Sequence, residues 1–333
     1  MSLGVAVIGL GVGEQHAMAY LRSQHCQLRW LHDFNREKSQ QLVAKLGHGK
    51  VAESFEAIIE DKSVDIVSIA SYDDAHFPQV VAALKAGKHV FVEKPLCNTQ
   101  NELQSIKTIW SQNRRRHLAS NLVLRTAPLY LWLKEMIQRG DCGEIYAFDG
   151  DYLYGRLHKI TDEWRKDVND YSVMQGGGVH LVDLMLWLTE QKPVSVIATG
   201  NRICTAASNF RYHDFVAATF QFESGLVGRI TANFGCVHRH QHVLRIFGTK
   251  GTFIYDDAGP RWHESRDPQL AAKTINKTPL PQTKGDLIHL FIEDIVTEKN
   301  IQQKVQHDFD VMSTCIAADK AVGKQKSVPV DYL

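Results

Sequence analysis

Short apolar runs alternate with amphipathic ones through the first third of the chain. Residues 5–8, Val5-Ala6-Val7-Ile8, are apolar without interruption and stop at a glycine. Residues 14–23 carry a helical period, 27–32 read as a second strand ending at Asp33, and 36–46 as a helix closed by Gly47. A further helix starts at 54–59. The run Asp65-Ile66-Val67-Ser68-Ile69-Ala70 is apolar nearly throughout, as a strand covered on both faces should be. Residues 77–86 predict a helix stopped by Gly87, and 89–93 the next strand. Strands of this kind alternating with helices predict a doubly wound parallel sheet over residues 1–122.

The pattern changes near residue 122. A helix over 129–138 stops at Gly140. Longer strand-like segments follow at 145–153, 194–203, 216–222, 226–234 and 243–247, some joined by turns such as Glu223-Ser224-Gly225. Consecutive strands with short turns predict an α+β domain over 123–333 with a large, mainly antiparallel open sheet. The polar stretch 260–284 is expected to be a loop.

Composition narrows the classes of function. A chain of 333 residues with 44% hydrophobic and 23% charged residues has material for about two globular cores. With 38 basic and 37 acidic residues the formal charge is +1, which gives no support for a nucleic-acid or anionic-membrane partner. No apolar stretch approaches the roughly 20 residues that span a bilayer. The N-terminal residues run straight into a strand without a basic region or a cleavage site, so no signal peptide is expected. The six cysteines, Cys26, Cys97, Cys142, Cys204, Cys236 and Cys315, are scattered, which suits reduced thiols in the cytoplasm.

Chemistry enters at the turn after the first strand. Gly9-Leu10-Gly11-Val12-Gly13 lies between a strand and a helix, the setting of a dinucleotide fingerprint. Gly9 permits the tight turn, and Gly11 lets the backbone approach a pyrophosphate lying on the helix N-terminus. The usual third glycine would fall at Glu14; Gly13 comes one residue early. The alternative is an ordinary glycine-rich turn. Asp33, about 20 residues on, is placed to take ribose hydroxyls, which favours NAD over NADP; nearby Arg36 would reverse that preference. The alternative for Asp33 is a helix N-cap.

A second motif lies at the carboxyl end of a parallel strand: Glu93-Lys94-Pro95, preceded by Ala86-Gly87-Lys88-His89-Val90-Phe91-Val92. Upstream, Ser68-Ile69-Ala70-Ser71-Tyr72-Asp73-Asp74-Ala75-His76 ends another strand in a polar turn containing a histidine. This stretch resembles the glucose–fructose oxidoreductase/inositol dehydrogenase/MocA family of NAD(P)-dependent dehydrogenases. Later segments resemble it too: Gly143-Glu144-Ile145, Trp164-Arg165, Gly178-Val179-His180-Leu181-Val182-Asp183 and Phe247-Gly248-Thr249-Lys250-Gly251.

The resemblance implies a Rossmann domain that binds NAD, or NADP, through Gly9, Leu10, Gly11, Val12, Gly13, Asp33, Ala70, Ser71, Tyr72, His76, Glu93, Lys94 and Asn121. It implies a second domain for substrate binding and oligomerisation. Lys94 would lie near the nicotinamide and stabilise the substrate oxygen, and a cis Lys94–Pro95 bond is expected. His180 would be the general acid/base. Trp164 and Arg165 would contact substrate; the alternative is a structural Trp–Arg stack. Arg125, like Asn121, sits at the passage between the domains. The implied reaction moves a hydride between nicotinamide and a secondary alcohol or ketone of a sugar, sugar nucleotide, cyclitol or similar polyol, in a cytoplasmic dimer or tetramer. The other readings are a non-catalytic dinucleotide or sugar sensor, and a redox-assisted lyase or glycosidase.

Two features fall outside the family pattern. Four residues before His180, where the family places an aspartate, stands Gly176. Asp167, Asp170 and Asp183 are candidate replacements; otherwise Lys94 and His180 work alone or the site does not turn over. Cys236, His238, His240 and His242 alternate along an expected strand, which would put all four on one face. No metal is expected there: a polar sheet face, at a subunit interface or lining the cleft, is the reading preferred over a transition-metal site.

Overall fold

The computed structural model describes residues 2–333 as two compact units. The first comprises the chain up to Val123 together with Gln282–Phe309 and Leu333; the second comprises Leu124–Pro281 and Asp310–Tyr332.

In the first unit six parallel strands, β1 (Leu3–Ile8), β2 (Cys26–His32), β3 (Lys50–Val51), β4 (Ile66–Ile69), β5 (His89–Val92) and β6 (Leu118–Ser120), are ordered 3-2-1-4-5-6. The strands alternate with α1 (Gly13–Leu21), α2 (Arg36–Leu46), α3 (Phe55–Glu60), α4 (Asp73–Lys85) and α5 (Gln100–Gln112). All four residues of β4 and of β5 are buried, which is why both read as unbroken apolar runs. The direction of strand order reverses between β1 and β4, so the crevice beyond their carboxyl ends is where such a sheet takes a ligand. Helix α4 begins at Asp73, four residues before the expected start, and accommodates Pro78 in its second turn.

The second unit holds α6 (Pro128–Gln138), α7 (His158–Thr161), α8 (Val179–Thr189) and a nine-stranded sheet. Its strands are β7 (Ile145–Leu153), β8 (Pro193–Asn201), β9 (Phe215–Phe222), β10 (Val227–Asn233), β11 (Gln241–Gly248), β12 (Thr252–Asp256), β13 (Gly259–His263), β14 (Lys273–Thr274) and β15 (Val328–Pro329), in the order 14-13-12-11-7-10-9-8-15. Every pairing is antiparallel except β10 with β7. The stretch expected as a loop therefore supplies β13 and β14, because pairing to β12 compensates for weak local patterning.

The later helices divide differently from the expectation that 123–333 is one domain. Helix α9 (Asp286–Val296) buries Ile288, Phe291, Ile292 and Ile295 in the first unit's core with Val5, Val7, Leu31 and Phe91. An amphipathic stripe declares that a helix packs but not on which sheet. Gly285 leaves no room for a side chain against Ala19 of α1 and the Gln15 carbonyl, which sets that approach. Helix α10 (Gln302–Lys324) begins in the first unit and ends in the second. No helix among the described residues is long and apolar enough to cross a membrane.

Candidate functional site

In the first unit, the expected cofactor residues collect at the switch point. Gly9 has φ of +78°, and a side chain there would overlap the Ala70 carbonyl and the Ser71 nitrogen. The ends of β1 and β4 thus touch through a glycine that no other residue could replace. Gly11 differs: a methyl there meets only the Lys38 Nζ, at 3.8 Å, so its backbone faces open space. Gly13 lies against Val7 and Ala70, the helix-to-strand contact usually served by a glycine one residue later.

Asp33 is 5% exposed and is not a helix cap; Asn35 caps α2, accepting from the Lys38 N–H. The Asp33 Oδ2 accepts from the Leu10 N–H at 2.7 Å and from Lys38 Nζ at 3.1 Å, and Oδ1 accepts from the Asn35 N–H at 3.0 Å. Burial pushes this carboxyl up, but the Leu10 and Asn35 N–H groups and the Lys38 ammonium hold it below the ordinary carboxylate range. Lys38, not Arg36, is therefore the cation in contact with Asp33. Beside it, Phe34 is 80% exposed and its ring lies 5.7 Å from that of Tyr72. Neither Phe34 nor Lys38 has a motif of its own, although both sit within five residues of Asp33.

Glu93 and Lys94 follow β5, and the Lys94–Pro95 peptide is cis. The Glu93 carboxylate accepts from Asn121 Nδ2 at 2.7 Å and faces buried His16 Nε2 at 3.2 Å. Burial would raise Glu93, yet the His16 and Asn121 hydrogen bonds and the His16 and Lys94 charges outweigh it and bring the carboxyl to about 2. Asn121 also donates to the Lys284 carbonyl at 2.8 Å, while its Oδ1 is buried with no partner. His16 belongs to no motif; its place on α1 gives no warning that it meets Glu93, 77 positions along the chain. His76 is fully buried, with Nδ1 2.7 Å from the Pro95 carbonyl and Nε2 3.2 Å from the Ser71 carbonyl. Both neighbours are acceptors, so a neutral ring donates its one N–H to one of the two turns and packs against the other. Ser71 Oγ donates to Gln79.

The groups around this crevice suit a dinucleotide. Gly11 leaves a cradle that a Cβ would fill, Asp33 presents a fixed anion, and the buried Asn121 Oδ1 lacks a hydrogen bond.

In the second unit His180 lies in the first turn of α8, directly after a π-helical turn, Met174–Gly178. The three glycines of that turn are each packed against a side chain. A methyl at Gly176 would overlap the Tyr171 hydroxyl, one at Gly177 the Tyr152 ring, and one at Gly178 the Met174 sulfur. The Tyr171 hydroxyl occupies the volume that a side chain at 176 would enter, so an aspartate there would have to displace it. Of the candidate replacements, Asp183 is fully buried in a bidentate pair with Arg125, with contacts of 2.6–3.0 Å. The carboxylate bonded to this turn comes instead from α10: Asp319 accepts from Ser172 Oγ at 2.7 Å and Gln175 Nε2 at 2.8 Å. Its distance of more than 140 positions along the chain hid it from motif reading.

Desolvation raises the Asp319 carboxyl to about 6, above its ordinary 3.8. A raised carboxyl pKa in the folded state means stability is full below 3.8 and declines as pH rises to about 6. Asp319→Asn, which keeps an acceptor for Ser172, should remove that decline. Urea denaturation at pH 4 and pH 7 should show the wild type losing up to about 3 kcal/mol more than the variant between the two; equal changes would refute the assignment.

Trp164 and Arg165 lie in a short 3-10 turn, with the guanidinium 4.4 Å from the indole centroid, so these two stack on one another. The alternating histidines do not share a strand. β10 ends at Asn233 and β11 begins at Gln241, and the backbone between them turns, so the alternating pattern does not put Cys236 and His238 on a common face with His242. His238 pairs with Asp257 at 3.0 Å. His240 and His242 lie close together, at 5.0 Å between ring centroids. Among the described residues no group of three or more His, Cys, Asp or Glu is placed to hold a metal ion.

Two family models match the chain: the NAD-binding Rossmann fold of an oxidoreductase family over residues 3–120, and the GFO/IDH/MocA C-terminal domain over 130–254. The chain belongs to this family. As a member of the GFO/IDH/MocA family it is an oxidoreductase of the dehydrogenase type, and its first unit is an NAD-binding Rossmann domain. Among its relatives are a levoglucosan dehydrogenase of Pseudarthrobacter phenanthrenivorans, 23% identical over 77% of this chain and 74% of that one. A myo-inositol 2-dehydrogenase of Thermotoga maritima is 24% identical over 76% of this chain and 75% of the relative. The fold agrees with that of a levoglucosan dehydrogenase in complex with NADH, with a TM-score of 0.88 at 20% identity over the whole of both chains.

Proposed function

We propose that this GFO/IDH/MocA protein oxidises a secondary alcohol of a sugar, sugar nucleotide, cyclitol or similar polyol to the ketone, and reduces the ketone in reverse. The observation that carries the reading is Lys94, held at the carboxyl end of β5 beside a carboxylate fixed by His16 and Asn121. Bound NAD supplies the two-electron oxidising power. Lys94 is assigned to the substrate oxygen, where an ammonium stabilises developing negative charge. His180 is assigned to the hydroxyl proton, which it accepts in oxidation and returns in reduction. Gly9 to Gly13, Asp33 and Asn121 are assigned to the dinucleotide; Phe34 and Tyr72 offer aromatic faces for its base. Because relatives named for levoglucosan and myo-inositol share this architecture, a polyhydroxylated ring is the substrate class. All six cysteines are free, which supports work in the cytoplasm, and the reading includes a homo-oligomer.

The test is a screen of myo-inositol, levoglucosan, aldoses and sugar nucleotides with NAD and with NADP, followed at 340 nm. Turnover of a ring polyol is expected, with NAD preferred. Asp33→Ser should weaken NAD binding by about tenfold and narrow the preference over NADP, since the anion that repels a 2′-phosphate is gone. Tight NAD binding with no turnover across the panel would refute the proposed ring-polyol substrate class.

A further inference from the structure

The histidines that alternate in sequence find a place only through the fold. His242 opens β11 and is paired in register with Tyr152 on β7. Its ring lies 5.7 Å from that of His180, nearly perpendicular, and 5.2 Å from that of Tyr152. His240 completes the group at 5.0 Å from His242 and 5.6 Å from Tyr154. The turn carrying His240 is pressed close: Gly155, with φ of +59°, has no room for a side chain against the His238 carbonyl. Within this cluster His242 is 6% exposed, and its Nε2 is buried with no hydrogen-bond partner. A buried ring nitrogen in that state has given up the bond it made to water, a cost that a hydrogen bond from a ligand would offset.

We infer that His242 Nε2 is a substrate-contact site, taking a ring hydroxyl of the polyol next to the oxygen assigned to His180. The inference rests on the proposed reading of His180 and extends it to a specificity-determining residue.

The chemistry selects a hydroxyl. Burial, and then the neighbouring His240, push His242 down to about 3, so its imidazole is neutral at physiological pH. A neutral Nε2 offers either an N–H or a lone pair, and a hydroxyl satisfies both. A carboxylate or phosphate satisfies only the N–H form and meets no charge on this ring.

The experiment compares wild type, His242→Phe and His242→Gln in the full-length protein loaded with NADH. The probes are myo-inositol, levoglucosan and single-deoxy analogues of each. Kd is measured by calorimetry, and KM and kcat where turnover occurs. His242→Phe should weaken binding of a parent polyol by about 10- to 100-fold, the loss of one buried hydrogen bond, with kcat within about threefold. For one deoxy analogue the same substitution should change Kd by less than about twofold, because the partner hydroxyl is already absent. His242→Gln should recover part of the affinity. An equal penalty on the parent and on every deoxy analogue would reduce His242 to a packing role and overturn the inference. So would failure of every probe to bind the wild type. Selective loss of binding without turnover in any variant would support the site while refuting the proposed oxidation of these polyols.

Discussion

Lys94→Ala is expected to lower kcat/KM by about a thousandfold or more, roughly 4 kcal/mol of transition-state stabilisation, in the range measured for removing one charged or hydrogen-bonding group from a developing oxyanion. NADH affinity should change by no more than a few fold, because Gly9, Gly11 and Asp33 remain. The loss should sit in kcat rather than KM, since the ammonium acts on charge that grows toward the transition state. The fold should persist: Glu93 keeps its hydrogen bonds to His16 and Asn121. Lys94→Arg should not restore the rate, because a planar, more diffuse and bulkier cation cannot take the position of a compact ammonium. Stopped-flow and steady-state rates at 340 nm decide the point. A kcat/KM within tenfold of wild type would exclude Lys94 from the chemistry.

Gly9→Ala and Gly11→Ala should fail in different ways. At Gly9 a methyl must enter a left-handed backbone conformation and displace the Ala70–Ser71 peptide. Left-handed strain costs about 1–2 kcal/mol and overpacking about 1–3, so the variant should lose roughly 2–5 kcal/mol of stability. It should also lose NADH binding, because both strand ends that form the crevice shift. At Gly11 no backbone strain arises and the methyl enters open space, so stability should hold within about 0.5 kcal/mol. NADH affinity should nevertheless fall by about tenfold or more, because the methyl stands where a pyrophosphate would approach the backbone. Urea denaturation paired with NADH fluorescence titration separates the two. If Gly11→Ala binds NADH as wild type does, the dinucleotide does not pass this turn.

The fold of the first unit was largely legible because local chemistry repeats there. Fully buried strands β4 and β5 read as apolar runs, glycines stop helices, and Gly9 to Gly13 lie at a strand-to-helix junction. The candidate site was less so. Lys94 and His180 stand in motifs, whereas His16, Phe34 and Lys38 are ordinary residues whose importance comes from what faces them. Gly176 shows the limit most clearly. A missing aspartate looks in sequence like a lost function; in the fold that volume belongs to the Tyr171 hydroxyl, while Asp319 bonds the same turn from α10.

By itself the sequence determined the family, the parallel and antiparallel halves and the glycine turn, since period, propensity and short motifs act over a few neighbouring residues. Only the tertiary structure decided that α9 packs in the first unit, that Arg125 takes Asp183, and that His242, on β11 with His240 next to it, stands beside His180. Each of these depends on contacts between residues tens to hundreds of positions apart. No local pattern encodes which of several compatible partners a buried charge, an apolar stripe or an imidazole will meet.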